Sequence, residues 1–417
     1  MAEAASIGDA LQILGDPSGR QDSDYWNAWF KAVCLNPEHR VFEWYCSTNE
    51  VIRVLSNYIG DANILSDRHR IMHPGSGTSL LPVRLSQIYP YRNVVVDVSE
   101  VAIDEMKQLH RMQFEGVNQG TKAASVEYRV ANLLEPALDF EANSFHFWID
   151  KGFVDAVFSK EGKEVNRSQE DHLFLEINRV LTSEGGTALI VSLAEDHSLQ
   201  LIVNNWLREC IAWKDRLDVW ELTPVSGDMP PFCFVLAKAS GNAAKNGRRV
   251  NFHYIHSKSP EEIYVNNAEE GIAKIGFHIS QSRAAFAQRL SSPNKPKISI
   301  RRILAILEIK PYDADMDLKV LANVIQSTVW KMADKLTILP QWYPFPGGDL
   351  QKIVPVAYGI SKLQLKCIIP EDDIDKLVEA INEWEGNDQF SDGVQSVDVD
   401  WANTVPVGDA IEILRNR

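Results

Sequence analysis

Gly75-Ser76-Gly77-Thr78-Ser79 is the first stretch whose residue types suggest chemistry. It follows the apolar pair Ile71-Met72 and precedes a helical pattern from Leu80. Glycines there let the backbone turn sharply and approach a ligand, while a helix N-terminus offers free N–H groups to it. A plain glycine turn has the same composition. Val94-Val95-Val96-Asp97 then reads as a buried strand ending in a carboxylate. It lies about twenty residues beyond the loop, where an acid accepts both ribose hydroxyls of a nucleoside-type ligand. Asp97 can equally cap a helix beginning near Ser99. The loop lacks the third glycine of the dinucleotide fingerprint and the lysine of a P-loop, which disfavours pyrophosphate and triphosphate ligands. Downstream, the apolar strand Phe145 to Ile149 ends in Asp150-Lys151-Gly152-Phe153-Val154-Asp155.

The elements that position these residues follow from periodicity. From Asp24 to Tyr58 apolar and aromatic residues recur at helical spacing, among them Tyr25, Trp26, Trp29, Phe30, Phe42, Trp44 and Tyr45. Between Ile71 and Lys238 short apolar runs (Val94–Val96, Phe145–Ile149, Ala188–Val191, Phe232–Leu236) alternate with amphipathic stretches (Val101–Met112, His172–Leu181, Ser198–Cys210). Strands alternating with helices mean βαβ units and a largely parallel sheet covered on both faces. Residues 1–238 are therefore expected to form one α/β domain. Residues 239–297 read as a linker with an amphipathic helix over Ile272–Leu290, because Ala239–Arg249 and Ser291–Lys297 are polar breaks. Residues 298–417 read as a second domain with strands at Ile298–Ile309, Leu336–Tyr343, Ile353–Ile369 and Gly393–Val399. Helices are expected at Asp315–Val329 and Asp373–Trp384. That order, βαββαβ, is the ferredoxin-like α+β arrangement.

The 417 residues suit two domains, and 45% hydrophobic with 24% charged residues suits a buried core. A formal charge of -15 disfavours a nucleic-acid surface, which needs basic patches to neutralise phosphates. The same charge is compatible with a basic protein partner or simply with a soluble surface. The cysteines (Cys34, Cys46, Cys210, Cys233, Cys367) form neither a disulfide framework nor a zinc pattern, which fits a reducing compartment. No apolar run reaches bilayer-spanning length, and Met1 to Arg20 does not read as a signal peptide. The expectation is a cytoplasmic protein without membrane or direct nucleic-acid contacts.

Tyr25-Trp26, Phe42-Glu43-Trp44-Tyr45, the glycine loop, Asp97-Val98-Ser99, Asp150-Lys151-Gly152 and Asp155-Ala156 together resemble the methyltransferase-like protein 13 group. These are seven-strand, Rossmann-like S-adenosylmethionine methyltransferases, several of which modify lysines or the N-terminus of elongation factor 1-alpha. The resemblance covers roughly Asp24 to Lys238. It implies S-adenosyl-L-methionine as cofactor, with Gly75, Ser76 and Gly77 along its methionine part. Asp97 with Val98 would hold the ribose, and Asn132 with Leu133 would sit beside the adenine. The family usually has aspartate where Asn132 stands, although an asparagine both donates to and accepts from the adenine edge. Phe153 likewise replaces a usual threonine. Methyl transfer from a sulfonium requires in-line positioning and a neutral amine. Asp150, at a strand's C-terminal end, is the expected amine-orienting and cofactor-side carboxylate; a helix cap or a salt bridge to Lys151 is the structural alternative. Trp26, Trp44 and Tyr45 are candidates for the wall of the target channel, or plain core.

A second resemblance begins at Ile306 to Asp313 (ILEIKPYD), continues through Ile353 to Gln364 (IVPVAYGISKLQ), and closes at Val394 to Val399 (VQSVDV). It is similar to the guanine-nucleotide-exchange domain of elongation factor 1-beta over roughly Ile298 to Val405. That likeness implies elongation factor 1-alpha as partner, alongside other subunits of the elongation factor 1 complex. Lys310, Pro311, Ile353, Pro355, Tyr358, Lys362 and Thr404 are the expected partner-binding residues. A lysine near the family's C-terminus disturbs the partner's magnesium and phosphate region; its place here falls at Thr404, which carries no ammonium. The implied function is a protein methyltransferase docked on elongation factor 1-alpha, with nucleotide exchange as a second activity. The competing reading is an exchange subunit carrying an inactive methyltransferase scaffold.

Overall fold

The computed structural model describes residues 23–34, 41–59, 69–89, 91–114, 126–135, 139–158, 167–183, 185–208, 213–224, 229–239, 248–291 except 256 and 258, 302–328 except 314, 340–342, 345, 351–357, 360–382, 394–400 and 405–406. They fall into two compact units, with the main break between Ser292 and Pro293.

The first unit opens with α1 (Ser23–Cys34) and α2 (Thr48–Leu55), then alternates β1 (Arg70–Pro74), α3 (Leu81–Ile88), β2 (Arg92–Asp97), α4 (Glu100–Phe114) and β3 (Val126–Val130). It continues through β4 (Phe147–Lys151), α5 (Phe153–Val157), α6 (Arg167–Val180), β5 (Thr187–Ser192), α7 (Asp196–Leu207), β6 (Trp213–Glu221) and β7 (Phe232–Lys238). Strands β8 (Arg248–His253) and β9 (Glu261–Val265) and the long helix α8 (Ala268–Ser291) complete it. The strands form one sheet in the order β3-β2-β1-β4-β5-β7-β6-β8-β9. From β3 to β5 all neighbours are parallel, and β7 lies antiparallel to both β5 and β6. Both faces are covered because neighbouring residues on a strand point to opposite sides. Met72, Trp148 and Ile190 enter the core on one face; Ile71, Phe147, Ile149, Leu189 and Val191 enter it on the other. This is the α/β architecture expected from the alternation, and it is methyltransferase-like as the resemblance implies, with β8 and β9 added to the seven expected strands.

Two local expectations differ from what is observed. The stretch read as a linker builds onto the sheet: β8 pairs parallel with β6, and β9 pairs antiparallel with β8. Its strand signal is weak because β9 is an edge strand with three exposed residues (Glu261, Glu262, Tyr264). Helix α8 buries Ile275 and Ile279 in the first unit's core. Its glycine 271 permits a close approach, since a Cβ there would stand 3.0 Å from Val265 Cγ1 and 3.2 Å from Val203 Cγ1. The second difference is Phe42–Tyr45, which lies outside the helices although its aromatics fit the helical spacing. Tyr45 adopts φ 62°, a conformation no α-helix accommodates.

The second unit comprises β10 (Arg302–Pro311), α9 (Leu318–Thr328), β11 (Gln341–Trp342), β12 (Gln351–Ala357), β13 (Ile360–Pro370), α10 (Ile374–Asn382), β14 (Val394–Val399) and β15 (Val405–Pro406). The run expected as one strand over Ile353–Ile369 is an antiparallel hairpin of β12 and β13. Sheet order β11-β13-β10-β14, with antiparallel neighbours throughout, is the ferredoxin-like pattern. Alternate residues Ile303, Ala305, Leu307 and Ile309 of β10, with Leu363, Leu365, Cys367 and Ile369 of β13, bury one face. Leu321 and Ile325 of α9 and Leu377 and Ile381 of α10 cover it.

Candidate functional site

In the first unit β1 stands between β2 and β4, and the chain leaves it toward β2 before returning to β4. That reversal opens a crevice at the strands' C-terminal ends. A cavity of about 730 Å³ lies there, a size suited to a small-molecule cofactor. Gly75, Gly77, Asp97, Val98, Asn132 and Leu133 all line it. Ser76 and Asp150 do not.

The glycine loop is held by its neighbours. Gly75 and Gly77 have φ of 50° and 52°. A Cβ on Gly75 would stand 2.5 Å from the Phe153 ring, and one on Gly77 2.9 Å from the Phe30 ring. Glycine at both positions is thus required by packing as well as by backbone conformation. The Gly77 amide donates to Asp97 Oδ2 at 2.8 Å, and the Ser99 amide donates to Asp97 Oδ1 at 2.9 Å. Asp97 therefore ties the loop to the start of α4, while Ser99 Oγ itself caps that helix through the Ala102 amide at 3.2 Å. The carboxylate keeps lone-pair capacity for a ligand hydroxyl beyond these amides. Burial pushes the Asp97 carboxyl up, against the amides that pull it down. Asn132 Oδ1 accepts the Leu134 amide at 3.1 Å, which fixes the amide plane at the cavity wall. Glycine cradle, strand-end acid and amide wall together fit a nucleoside cofactor with an amino-acid tail.

Asp150 is fully buried and occupied. Its oxygens accept the Phe153 amide at 2.7 Å and the Val154 amide at 3.1 Å, so it caps α5. Burial pushes its carboxyl up to about 8. Lys151 does not pair with it: its ammonium contacts Glu43 Oε2 and donates to the Cys46 carbonyl at 3.3 Å. Glu43 also accepts from Thr48 Oγ1 at 2.9 Å, Ser79 Oγ at 2.9 Å and the Leu80 amide at 3.0 Å. One carboxylate thereby joins the aromatic segment, the end of the glycine loop and β4.

Trp26, Trp44 and Tyr45 line the cavity. Burial, then Asp155, push the Tyr45 phenol well up, so it stays neutral at physiological pH. Asp155, Glu195, Asp196, His197 and Arg283 also line the wall, and sequence reasoning had not chosen them as site residues. Asp155 accepts Ser192 Oγ at 2.7 Å and the Leu193 amide at 2.8 Å. Glu195 follows a strand end, where such groups were worth seeking; Arg283 comes from α8 and carried no signal. His197 Nε2 meets Glu170 Oε1 at 2.8 Å.

In the second unit Lys310 pairs with Asp398 at 3.2 Å, and Lys362 pairs with Glu308 at 2.6 Å. Pro311 ends β10. Ile353 and Pro355 on β12 are exposed, next to exposed Val356 and Ile360. Tyr358 and Thr404 lie outside the described residues.

Fold and cavity define the class: a methyltransferase-like α/β domain followed by an antiparallel ferredoxin-like domain. The particular relatives are equally plain. Residues 304–405 match the model of the EF-1 guanine nucleotide exchange domain. The N-terminal half is similar to the eEF1A lysine and N-terminal methyltransferase of Homo sapiens, 30% identical over 224 residues, which are 52% of this chain and 28% of that protein. The C-terminal part is similar to the probable elongation factor 1-beta of Drosophila melanogaster, 37% identical over 124 residues, 29% of this chain and 46% of that protein. The chain thus spans under a third of the methyltransferase relative and about half of the factor. Among solved structures, a SAM-dependent methyltransferase from Methanosarcina mazei aligns at 17% identity and TM-score 0.34, over 45% of this chain and 98% of that one.

Proposed function

We propose that the first unit is an S-adenosylmethionine-dependent protein methyltransferase acting on a lysine or N-terminal amine of elongation factor 1-alpha, and that the second unit docks that factor. The observation that carries the first half is the cradle of Gly75, Gly77 and Asp97 in the wall of a cavity of about 730 Å³. The second half rests on the exchange-domain match over residues 304–405 and on the relatives' names. The bound cofactor supplies an electrophilic methyl group. The chain's own contribution is to hold an amine in line and to favour its neutral form. Asp97 accepts the ribose hydroxyls, and Asn132 with Leu133 meets the adenine. Asp150 positions the Gly152–Phe153 turn by capping α5 rather than by touching the amine. The carboxylates that orient the amine are Asp155 and Glu195, which face the cavity, with the neutral Tyr45 phenol beside Asp155. Trp26 and Trp44 wall it against water.

In the second unit the exposed apolar edge formed by Ile353, Pro355 and Val356, with Lys310 and Lys362, is the docking surface, and nucleotide exchange is a second activity of the docked complex. Linking the two modules raises the effective concentration of the target amine to about the millimolar range. Mass spectrometry of elongation factor 1-alpha after incubation with this chain and S-adenosylmethionine tests the proposal. Added methyl groups that vanish with Asp97→Ala are expected; an unmodified factor, with no cofactor binding by calorimetry, would leave only the exchange reading. A GDP-release assay with wild type and Thr404→Lys tests exchange.

A further inference from the structure

Arg283 lines the cavity, and the proposed reaction does not use it. It sits on α8, one turn beyond the buried Ile279, and reaches the loop that follows β5. There its Nη2 donates to the Leu193 carbonyl, while its Nε is buried without a hydrogen-bond partner among the described residues. Glu195 and Asp196 are close enough to act on its charge, yet among the described residues no carboxylate pairs with it. A buried N–H of a guanidinium left unmatched is destabilising, a penalty that an incoming planar anion removes. Two parallel N–H donors in a rigid fork match a carboxylate better than any other common peptide group.

The position says which molecule brings that carboxylate. In sheet order β5 is two strands from β1, the strand that carries the glycine loop. At about 4.8 Å per strand, that is on the order of 10 Å away from the cradle. Arg283 therefore stands at the end of the cavity away from the cradle, where the target amine has to lie if the cradle holds the cofactor. The same end carries Asp155 and Glu195, so it offers acids for an ammonium and one guanidinium for an anion.

We propose that Arg283 is a specificity-determining residue that binds a carboxylate of the target peptide next to the amine to be methylated. This rests on the methyltransferase reading of the cavity. The target is then a lysine or terminal amine with an acidic neighbour, and a neutral neighbour leaves Arg283 unmatched.

The test is calorimetric titration of the full chain, with and without saturating S-adenosylhomocysteine, by three short lysine peptides. One has a neutral neighbour and an amidated end, one a glutamate neighbour and an amidated end, and one a neutral neighbour and a free C-terminal carboxylate. The expected result is about tenfold tighter binding of a carboxylate-bearing peptide, and the stronger of the two identifies the carboxylate's source. Arg283→Gln should erase that preference while leaving the neutral peptide and S-adenosylhomocysteine unaffected, and Arg283→Lys should keep part of it. Equal binding of all three peptides, no peptide binding, or a preference that survives Arg283→Gln overturns the proposal. Loss of S-adenosylhomocysteine binding alone in Arg283→Gln does so too, by assigning the residue to the cofactor. Methyl transfer is followed in the same samples: a carboxylate preference without transfer defeats the enzyme reading and not this one.

Discussion

Single residues at the cavity have consequences that can be read from their surroundings. Gly75→Ala places a Cβ 2.5 Å from the Phe153 ring at φ 50°. It should cost about 1–3 kcal/mol in denaturant unfolding, and the steric part should return in Gly75→Ala/Phe153→Ala. Asp150 sets a pH dependence. Its folded carboxyl titrates at about 8, above the ordinary value of 3.8. The folded state therefore holds the proton more tightly, so the contribution is complete below about pH 4 and is lost as pH rises through 8. The melting temperature of wild type should decline across that window more steeply than that of Asp150→Asn; parallel slopes would contradict the assignment. Sequence made the glycine loop and Asp97 legible because their spacing is local. It also offered helix capping as Asp150's alternative role, which is how both its oxygens are used. It pointed to Asp150 rather than Asp155 and Glu195 because a strand-end acid looks the same whether its oxygens face a cavity or the next helix.

At the scale of elements, Glu43 governs how the segment before α2 seats on the sheet. Its partner Lys151 is 108 residues away in sequence and has 6% of its side chain exposed. Removing the carboxylate strands that ammonium, so Glu43→Gln should destabilise by roughly 3 kcal/mol. Glu43→Gln/Lys151→Met should recover most of the loss, and strict additivity in this cycle would deny the coupling. Such a tie is invisible to periodicity, which reads each segment against itself. The same blindness made Phe42–Tyr45 look helical and β8–β9 look like a linker. An edge strand alternates only weakly, whereas the helix expected over Ile272–Leu290 is found within α8. Where patterns were strong the expected strands are found: Val94–Val96 lies within Arg92–Asp97, and β10 runs over Arg302–Pro311 where a strand over Ile298–Ile309 is expected.

For the whole molecule, every residue that lines the cavity lies between Trp26 and Arg283, before the break at Ser292. A chain ending at Ser292 should keep its S-adenosylmethionine affinity within about twofold, while methylation of elongation factor 1-alpha at low concentration should fall by a factor on the order of a hundred. Equal rates for the two chains would remove docking from the function. A chain cut after Lys238, at the boundary the composition suggests, loses β8, β9 and α8 and with them Ile275 and Ile279 from the core. It should be poorly soluble. Five of the seven left-handed backbone positions among the described residues, Gly75, Gly77, Gly152, Tyr45 and Ala194, lie on or beside the cavity wall, while Asn143 and Gly185 do not line it. Tyr45 and Ala194 adopt this conformation with a side chain attached, at about 1–2 kcal/mol each. Any campaign to make this protein more heat-resistant by relaxing its backbone would reach for Ala194→Gly first. It would gain its degrees by loosening the turn that aims Glu195, so breeding for robustness alone would erode the pocket from its rim inward.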